Sequence, residues 1–313
     1  MLKAYSYVER EHLGADFIDK VILEKEKRII ADFVMHNPCE KRETPCIVCS
    51  GATKDFATID GVCYLRCSDC LSIFAPIDDE MLNSYRAYMP LTEFRNSDEY
   101  QNSITENRSV LWDDLLFWIE YRLARYMPNR TDYDIVDVRN RHFGLAERIK
   151  RSDFTRSYNA SETGDVVIFF DQLRCQSNPI AALVELRAKL KDGGLLILNA
   201  SVGSGFDVLT LKGGCRNIYP YEVIFLPSAE GLGIILEKAG FEALEISTPG
   251  TLDVENILEN KGCLSQDDLF ANYLFNKMDK SILAEFQRFL QKCGMSSHAR
   301  VIAKKSPKGN IGL

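Results

Sequence analysis

Cys46-x2-Cys49 and Cys67-x2-Cys70 place four thiols in two tight pairs, with seventeen residues between the pairs. Each pair fits one turn, and a hairpin between them would gather the four sulfurs as a tetrahedron. Thiolates arranged in that way favour zinc. Four protein ligands close the metal's coordination shell, so the expected zinc is structural and activates no water. Cys39, Cys63, Cys175, Cys215, Cys263 and Cys293 share no such spacing and read as ordinary core thiols.

A second chemical set is cationic. Arg139 and Arg141 flank Asn140 just after one apolar run, and Arg174 follows another. They read either as solvated loop charge or as an anion site, for example for the phosphates of a nucleotide sugar. Groups suited to proton transfer near neutral pH are scarce, since the chain has four histidines: His12, His36, His142 and His298.

The chain that must position these groups has 313 residues, enough for one large domain and a small one. It is 46% hydrophobic and 27% charged, which is ordinary globular material. A net charge of -7 argues against nucleic acid as a partner. No apolar run approaches the ~18 residues of a membrane span, and the N-terminus lacks the apolar core of a secretory signal. A cytoplasmic protein with reduced thiols is therefore expected, with no membrane partner.

Apolar residues at helical spacing predict a helix over 11–35, closed by Asn37-Pro38. Residues 44–75 read as short β pieces around the cysteines, and 78–128 as helical. From 132 to 304 strands alternate with helices. Strands are predicted at 133–138, 165–170, 195–198, 241–246 and 300–304. Helices are predicted over 143–150, from Asn178-Pro179 to a Gly193-Gly194 stop, from a Ser228 cap to Gly240, and over 280–292. Such alternation means a parallel-rich sheet covered on both faces. The expected divisions are an N-terminal helical extension at 1–40, a zinc ribbon at 41–77, a helical connector at 78–130 and an α/β domain at 131–313.

Thr44-Pro-Cys-Ile-Val-Cys-Ser-Gly51 and Arg66-Cys-Ser-Asp-Cys70, followed by a tyrosine-rich helical stretch, resemble the N-terminal module of zinc-ribbon class I S-adenosylmethionine (SAM) methyltransferases. Residues 165–200 are similar to that family's fourth strand, linking helix and fifth strand. Gly205-Phe-Asp207, Asn217-Ile-Tyr-Pro220, 247–254, 286–290 and 296–301 resemble its later segments. The resemblance spans roughly 44–305 and implies a Rossmann-like, doubly wound domain. Relatives of this kind methylate small molecules, often sugars on nucleotides. The same resemblance implies cofactor contacts at Asp137, Asn140, Gly144, Asp171 and Gln172.

The pattern then departs from the family at three points. The G-x-G-x-G turn, where backbone must approach the cofactor without Cβ atoms, is replaced by 137–144, with Arg139 and Arg141 at two glycine positions. Only 151–164 lies between the first helix of the domain and its fourth strand, where the family has a strand, a helix and another strand. At most one short strand, at 155–159, fits there. The missing piece normally carries the ribose-binding acid, and the nearest polar stand-ins are Asn159 and Glu162. Finally, D-x-L-E-H-x-x-D-P has become Asp171-Gln-Leu-Arg174-Cys175-Gln-Ser-Asn178-Pro179, and P-P-E-H has become Pro220-Tyr221-Glu222-Val223. Both histidines suited to proton transfer are gone. Tyr221, Glu222 and His298 remain as catalytic candidates, with His298 reading more naturally as structural.

These losses lead to the expectation of a methyltransferase-like, zinc-binding pseudoenzyme. It would act as a binding or scaffold subunit in small-molecule or carbohydrate modification, alongside an active methyltransferase or other protein partner. One alternative is an active SAM-dependent enzyme acting on a nucleotide sugar or similar small molecule. Another is an anionic-ligand-binding domain using Arg139, Arg141 and Arg174.

Overall fold

The apolar runs in the second half of the chain become neighbouring strands whose successive side chains enter opposite cores. The computed structural model describes residues 20–38, 43–106, 109–138, 143–159, 162–215 and 217–307. Helix α1 (Lys20–His36) precedes a ribbon of β1 (Thr53–Ile59), β2 (Val62–Cys67) and β3 (Ile73–Phe74). Four helices follow: α2 (Asp79–Arg86), α3 (Met89–Asn96), α4 (Asp98–Glu106) and α5 (Ser109–Tyr126). The α/β part then runs β4 (Tyr133–Asp137), α6 (Phe143–Lys150), β5 (Thr155–Asn159), β6 (Gly164–Phe170), α7 (Pro179–Ala188) and β7 (Leu190–Ser201). It continues with α8 (Phe206–Leu211), β8 (Phe225–Leu226), α9 (Ala229–Lys238) and β9 (Phe241–Ser247). Helices α10 (Asp253–Glu259), α11 (Leu269–Lys277) and α12 (Lys280–Lys292) lead to β10 (His298–Lys305).

The large sheet has the order β5-β4-β6-β7-β10-β9. Strands β5, β4, β6 and β7 are parallel, and β10 is inserted antiparallel between β7 and β9. This mixed sheet, with helices on both faces, is the methyltransferase-like α/β fold. Among the described residues it has six strands, and β5 alone stands between α6 and β6. The sheet is thus short of the seven strands of the complete fold, as the brief 151–164 connection requires.

On one face Ile135, Val166, Ile168, Leu195 and Ile197 pack with Trp112, Trp118 and Leu145 from α5 and α6. On the other, Val136, Val167, Phe169, Leu196 and Leu198 meet α7, α9 and the ribbon. Two ion pairs fasten α5 to the sheet: Arg122 grips Glu245 Oε1 through Nε at 3.0 Å and Nη2 at 2.8 Å, and Arg300 Nη2 reaches Asp114 Oδ2 at 2.5 Å. Among the described residues, no helix is long and apolar enough to cross a membrane.

Local signals placed most elements. Asn178 Oδ1 accepts the Ala181 N–H at 3.0 Å and Ser228 Oγ accepts that of Gly231 at 2.8 Å, so both expected caps form. One expectation needs correction. The helix after Pro179 ends at Ala188, not at the glycine pair, and β7 already begins at Leu190. Its ladder to β6 shifts register between Gly164 and Val166, and Gly193 takes the looped-out segment through φ +75°. The expected 11–35 helix is seen from Lys20, and its earlier part lies outside the described residues.

Candidate functional site

The ribbon brings all four expected ligands together. The sulfurs of Cys46, Cys49, Cys67 and Cys70 lie within 4.8 Å of one another, with Cys46–Cys70 at 3.6 Å and Cys49–Cys67 at 3.4 Å. A tetrahedron with metal–sulfur bonds of ~2.3 Å has edges of about 3.8 Å, close to these values. They are far too long for disulfides. Each pair sits on a tight turn, in which the Val48 and Asp69 N–H groups point at Cys46 Sγ and Cys67 Sγ, both at 3.4 Å. Ser50 and Leu71, the residues after each pair, adopt φ +63° and +62°, which turn the backbone around the cluster. Burial pushes the Cys46 and Cys70 thiols up, so a cation is what would make four thiolates tenable there. The donor set therefore fits a closed tetrahedral site for a thiophilic divalent metal.

The cluster is tied to the α/β part. Ser228 Oγ donates to the Cys70 carbonyl at 2.5 Å, and Lys238 Nζ donates to the Val48 carbonyl at 2.7 Å. Strand β3 pairs antiparallel with β8, Ile73 with Leu226 and Phe74 with Phe225, so the ribbon's fourth strand comes from the far half of the chain.

The second candidate region is the crevice at the carboxyl ends of β4 and β6. From β4 the chain passes outward to β5 and returns on the other side as β6, which makes this the switch point of the sheet. Asp137 closes β4 and is only 5% exposed. Tyr158, at the end of β5, donates its phenol to Asp137 Oδ2. Asn159 Oδ1 accepts the Glu162 N–H at 3.0 Å, so the two polar stand-ins bond to each other. Asp171 follows β6 with φ +54°, its N–H held by Asn199 Oδ1 at 2.7 Å, and Gln172 is buried beside it. Arg139, Asn140, Arg141 and His142 lie outside the described residues.

Gly144 has a packing role. A Cβ there would stand 1.9 Å from the Trp112 ring, so the missing side chain lets α6 close on α5. Trp112 also carries Arg148 over its ring at 5.3 Å.

Tyr221 and Glu222 are built into the interface with the N-terminal helices. Tyr221, 1% exposed, stacks on Tyr85 at 5.3 Å, meets Phe33 edge-on at 5.1 Å and donates its phenol to the Asn37 carbonyl at 2.9 Å. Its φ of +64° is rare for an aromatic residue and is held by these contacts. Glu222 Oε1 accepts from Tyr85 Oη at 3.0 Å and pairs with Arg95 Nη1 at 2.9 Å. The same Arg95 reaches Glu26 Oε1 at 2.7 Å. Cys175, where the resemblance has a histidine, donates its thiol to the Glu222 carbonyl at 3.0 Å.

His298 opens β10 opposite Ser201. Burial pushes its imidazole below the ordinary value, with Asp171 opposing, so the ring is neutral at pH 7. Sequence reasoning missed Arg95, Tyr85 and Tyr158, none of which carries a motif. Their long-range pairing leaves no local signal.

No family model matches the chain. It is similar to a tRNA U34 carboxymethyltransferase of Alteromonas mediterranea, with 34% identity over 82 residues, 26% of this chain and 25% of that protein. A tRNA U34 carboxymethyltransferase of Idiomarina loihiensis is 29% identical over 91 residues, 29% of this chain and 28% of that protein. The match thus spans about a quarter of the length of these curated relatives. Among solved structures, coclaurine N-methyltransferase bound to N-methylheliamine and SAH superposes with TM-score 0.34 and 11% identity, over 64% of this chain and 74% of that one. Phosphoethanolamine N-methyltransferase 2 of Haemonchus contortus with S-adenosyl-L-methionine gives TM-score 0.35 and 18% identity, over 59% of this chain and 51% of that one. At these scores it is the strand order of the chain itself that identifies the fold.

Proposed function

We propose that this methyltransferase-fold protein binds structural zinc through Cys46, Cys49, Cys67 and Cys70 and no longer transfers methyl groups. It serves as a binding or scaffold subunit in small-molecule or carbohydrate modification, beside an active methyltransferase or another protein partner. The observation that carries this reading is the fate of Glu222. Its carboxylate is 7% exposed as a residue and is occupied by Arg95 and Tyr85, so it holds helices together and is poorly placed to meet a substrate. The brief α6–β6 connection supports the same reading, because the ribose- and adenine-binding segment of the fold is shortened there.

An active transferase is the second reading, favoured by one observation: Asp137 stays buried and hydrogen-bonded at the end of β4, where the family keeps an acid. The tRNA in the relatives' names transfers poorly to a chain with net charge -7, since polyanion binding rests on neutralising phosphates.

Calorimetric titration of the zinc-loaded chain with SAM and its demethylated product separates the two. The expected result is no binding tighter than about millimolar and no methyl transfer. Micromolar affinity for SAM would restore the active-enzyme reading.

A further inference from the structure

Inside the crevice the charge of Arg174 is already met by Cys175, Asp171 and Glu222. The outer face of α11 and α12 leaves more uncovered. Helix α11 turns Ala271, Leu274 and Phe275 into the core. A surface helix would carry polar residues opposite them, but α11 carries Leu269, Phe270 and Tyr273, which are 77%, 61% and 63% exposed. It is thus apolar all round, as helices covered on both sides are. On α12, Ile282, Phe286 and Phe289 share one face at i, i+4 and i+7, with Ile282 45% and Phe289 53% exposed.

These residues form one patch on a fixed base. Phe286 bridges the two helices: its ring lies 6.3 Å from that of Phe270 and stacks on Phe289 at 6.2 Å. The same ring meets Phe206 edge-on at 5.1 Å and the buried Phe275 at 6.4 Å, which roots the patch in the core. The five exposed residues present on the order of 600 Å², at the upper end of what a monomer leaves uncovered. That is most of the ~800 Å² that one partner contributes to a stable interface.

The charges around the patch suit a second copy of the same chain. Between Asp267 and Lys292 four acidic residues are balanced by four basic ones, in a chain whose net charge is -7. They are also divided along α11. Asp267 and Asp268 precede the helix and Lys277 ends it, and among the described residues neither Asp267 nor Lys277 is engaged in an ion pair. Tyr273 is the middle residue of α11. A two-fold axis beside it lays α11 antiparallel on its copy, with the acidic start of each helix against the basic end of the other and the two macrodipoles opposed.

We propose that the exposed aromatic face of α11 and α12 is the two-fold interface of a homodimer, with α11 packed antiparallel against α11 of a second copy. Aromatic rings then fill the centre of the interface and charged residues its rim. The interface is independent of the cysteine cluster, of SAM binding and of methyl transfer.

The test is sedimentation equilibrium of the zinc-loaded full chain from ~1 to ~100 µM. The wild type should reach twice the chain mass within that range. Phe270→Glu places like charges across the axis and should weaken association at least ~100-fold, with the far-UV circular dichroism unchanged. Phe117→Glu alters a similarly exposed ring, stacked on Tyr121 of α5, and should leave the dimer intact. Lys277→Glu and Asp267→Lys should each weaken the dimer, and both together in one chain should restore it, because the reversed charges meet each other across the axis. A chain that remains monomeric at ~100 µM assigns the face to an unlike protein or a lipid surface and overturns the proposal. So does a dimer that survives Phe270→Glu, that is lost in Phe117→Glu, or that the paired reversal fails to restore.

Discussion

Arg95 and Glu222 meet at 2.9 Å, Nη1 to Oε1, and join helix α3 to the loop that precedes β8. The pair is shielded, and Glu26 shares the same guanidinium at 2.7 Å. Removing the cation alone would leave two confined carboxylates facing each other. Arg95→Met is expected to destabilise the protein by on the order of 3 kcal/mol in urea unfolding. Glu222→Gln keeps an acceptor for Tyr85 and should cost clearly less. Equal effects of the two variants would show that charge is not what holds this interface.

The metal prediction follows from the four sulfurs. Purified protein should carry close to one zinc per chain, and Cys49→Ser or chelation should lower Tm by on the order of 10 °C. Because Ser228 and Lys238 bond the ribbon backbone, hydrogen exchange should rise at 225–238 as well as at 43–77. Metal analysis that finds no zinc in protein never exposed to chelator or oxidant would refute the site.

A pH dependence arises from Asp207. Burial, reinforced by the neighbouring Asp253 carboxylate, raises its carboxyl from 3.8 to about 7. The folded protein therefore binds a proton there that the unfolded chain has released. Its stability falls as pH rises from about 4 to 7 and changes no further above that range, by on the order of 4 kcal/mol in all. Asp207→Asn should flatten this part of the stability profile, measured by urea unfolding at a series of pH values. An unchanged slope would assign the dependence to other groups.

Gly144 offers a steric test. Gly144→Ala should cost about 2 kcal/mol, since the added methyl collides with Trp112 and the neighbouring helices must separate. Trp112→Leu in the same chain should make the alanine easier to accommodate. A double-mutant cycle with no coupling would contradict the close approach.

What the sequence made legible was local. Asn178 and Ser228 announced their helices because a capping side chain acts on an amide only three residues away. The cysteine pairs announced the cluster because each pair completes one turn by itself. The shortened sheet followed from chain length, since 151–164 cannot hold a strand, a helix and a second strand. The Gly193-Gly194 signal was misread because a glycine that loops a strand and one that stops a helix use the same freedom at φ > 0. Gly144 looked like part of a cofactor turn, and nothing nearby revealed that Trp112, thirty-two positions earlier, fills the space beside it. The partners of Glu222 were illegible for the same reason: Tyr85 and Arg95 come from distant helices, and no periodicity encodes such a meeting.

The pairing of Phe74 with Phe225 also sets a schedule for the protein's synthesis. The four cysteines leave the ribosome before the strand that completes their sheet, which follows about 150 residues later. At about 5–20 residues per second, the nascent ribbon waits roughly 8–30 s with the edge of Ile73–Phe74 uncovered. Metal capture during that interval would keep the hairpin formed and its apolar edge in register until β8 arrives. Zinc scarcity should therefore lower the yield of soluble protein more than it lowers the stability of molecules already folded.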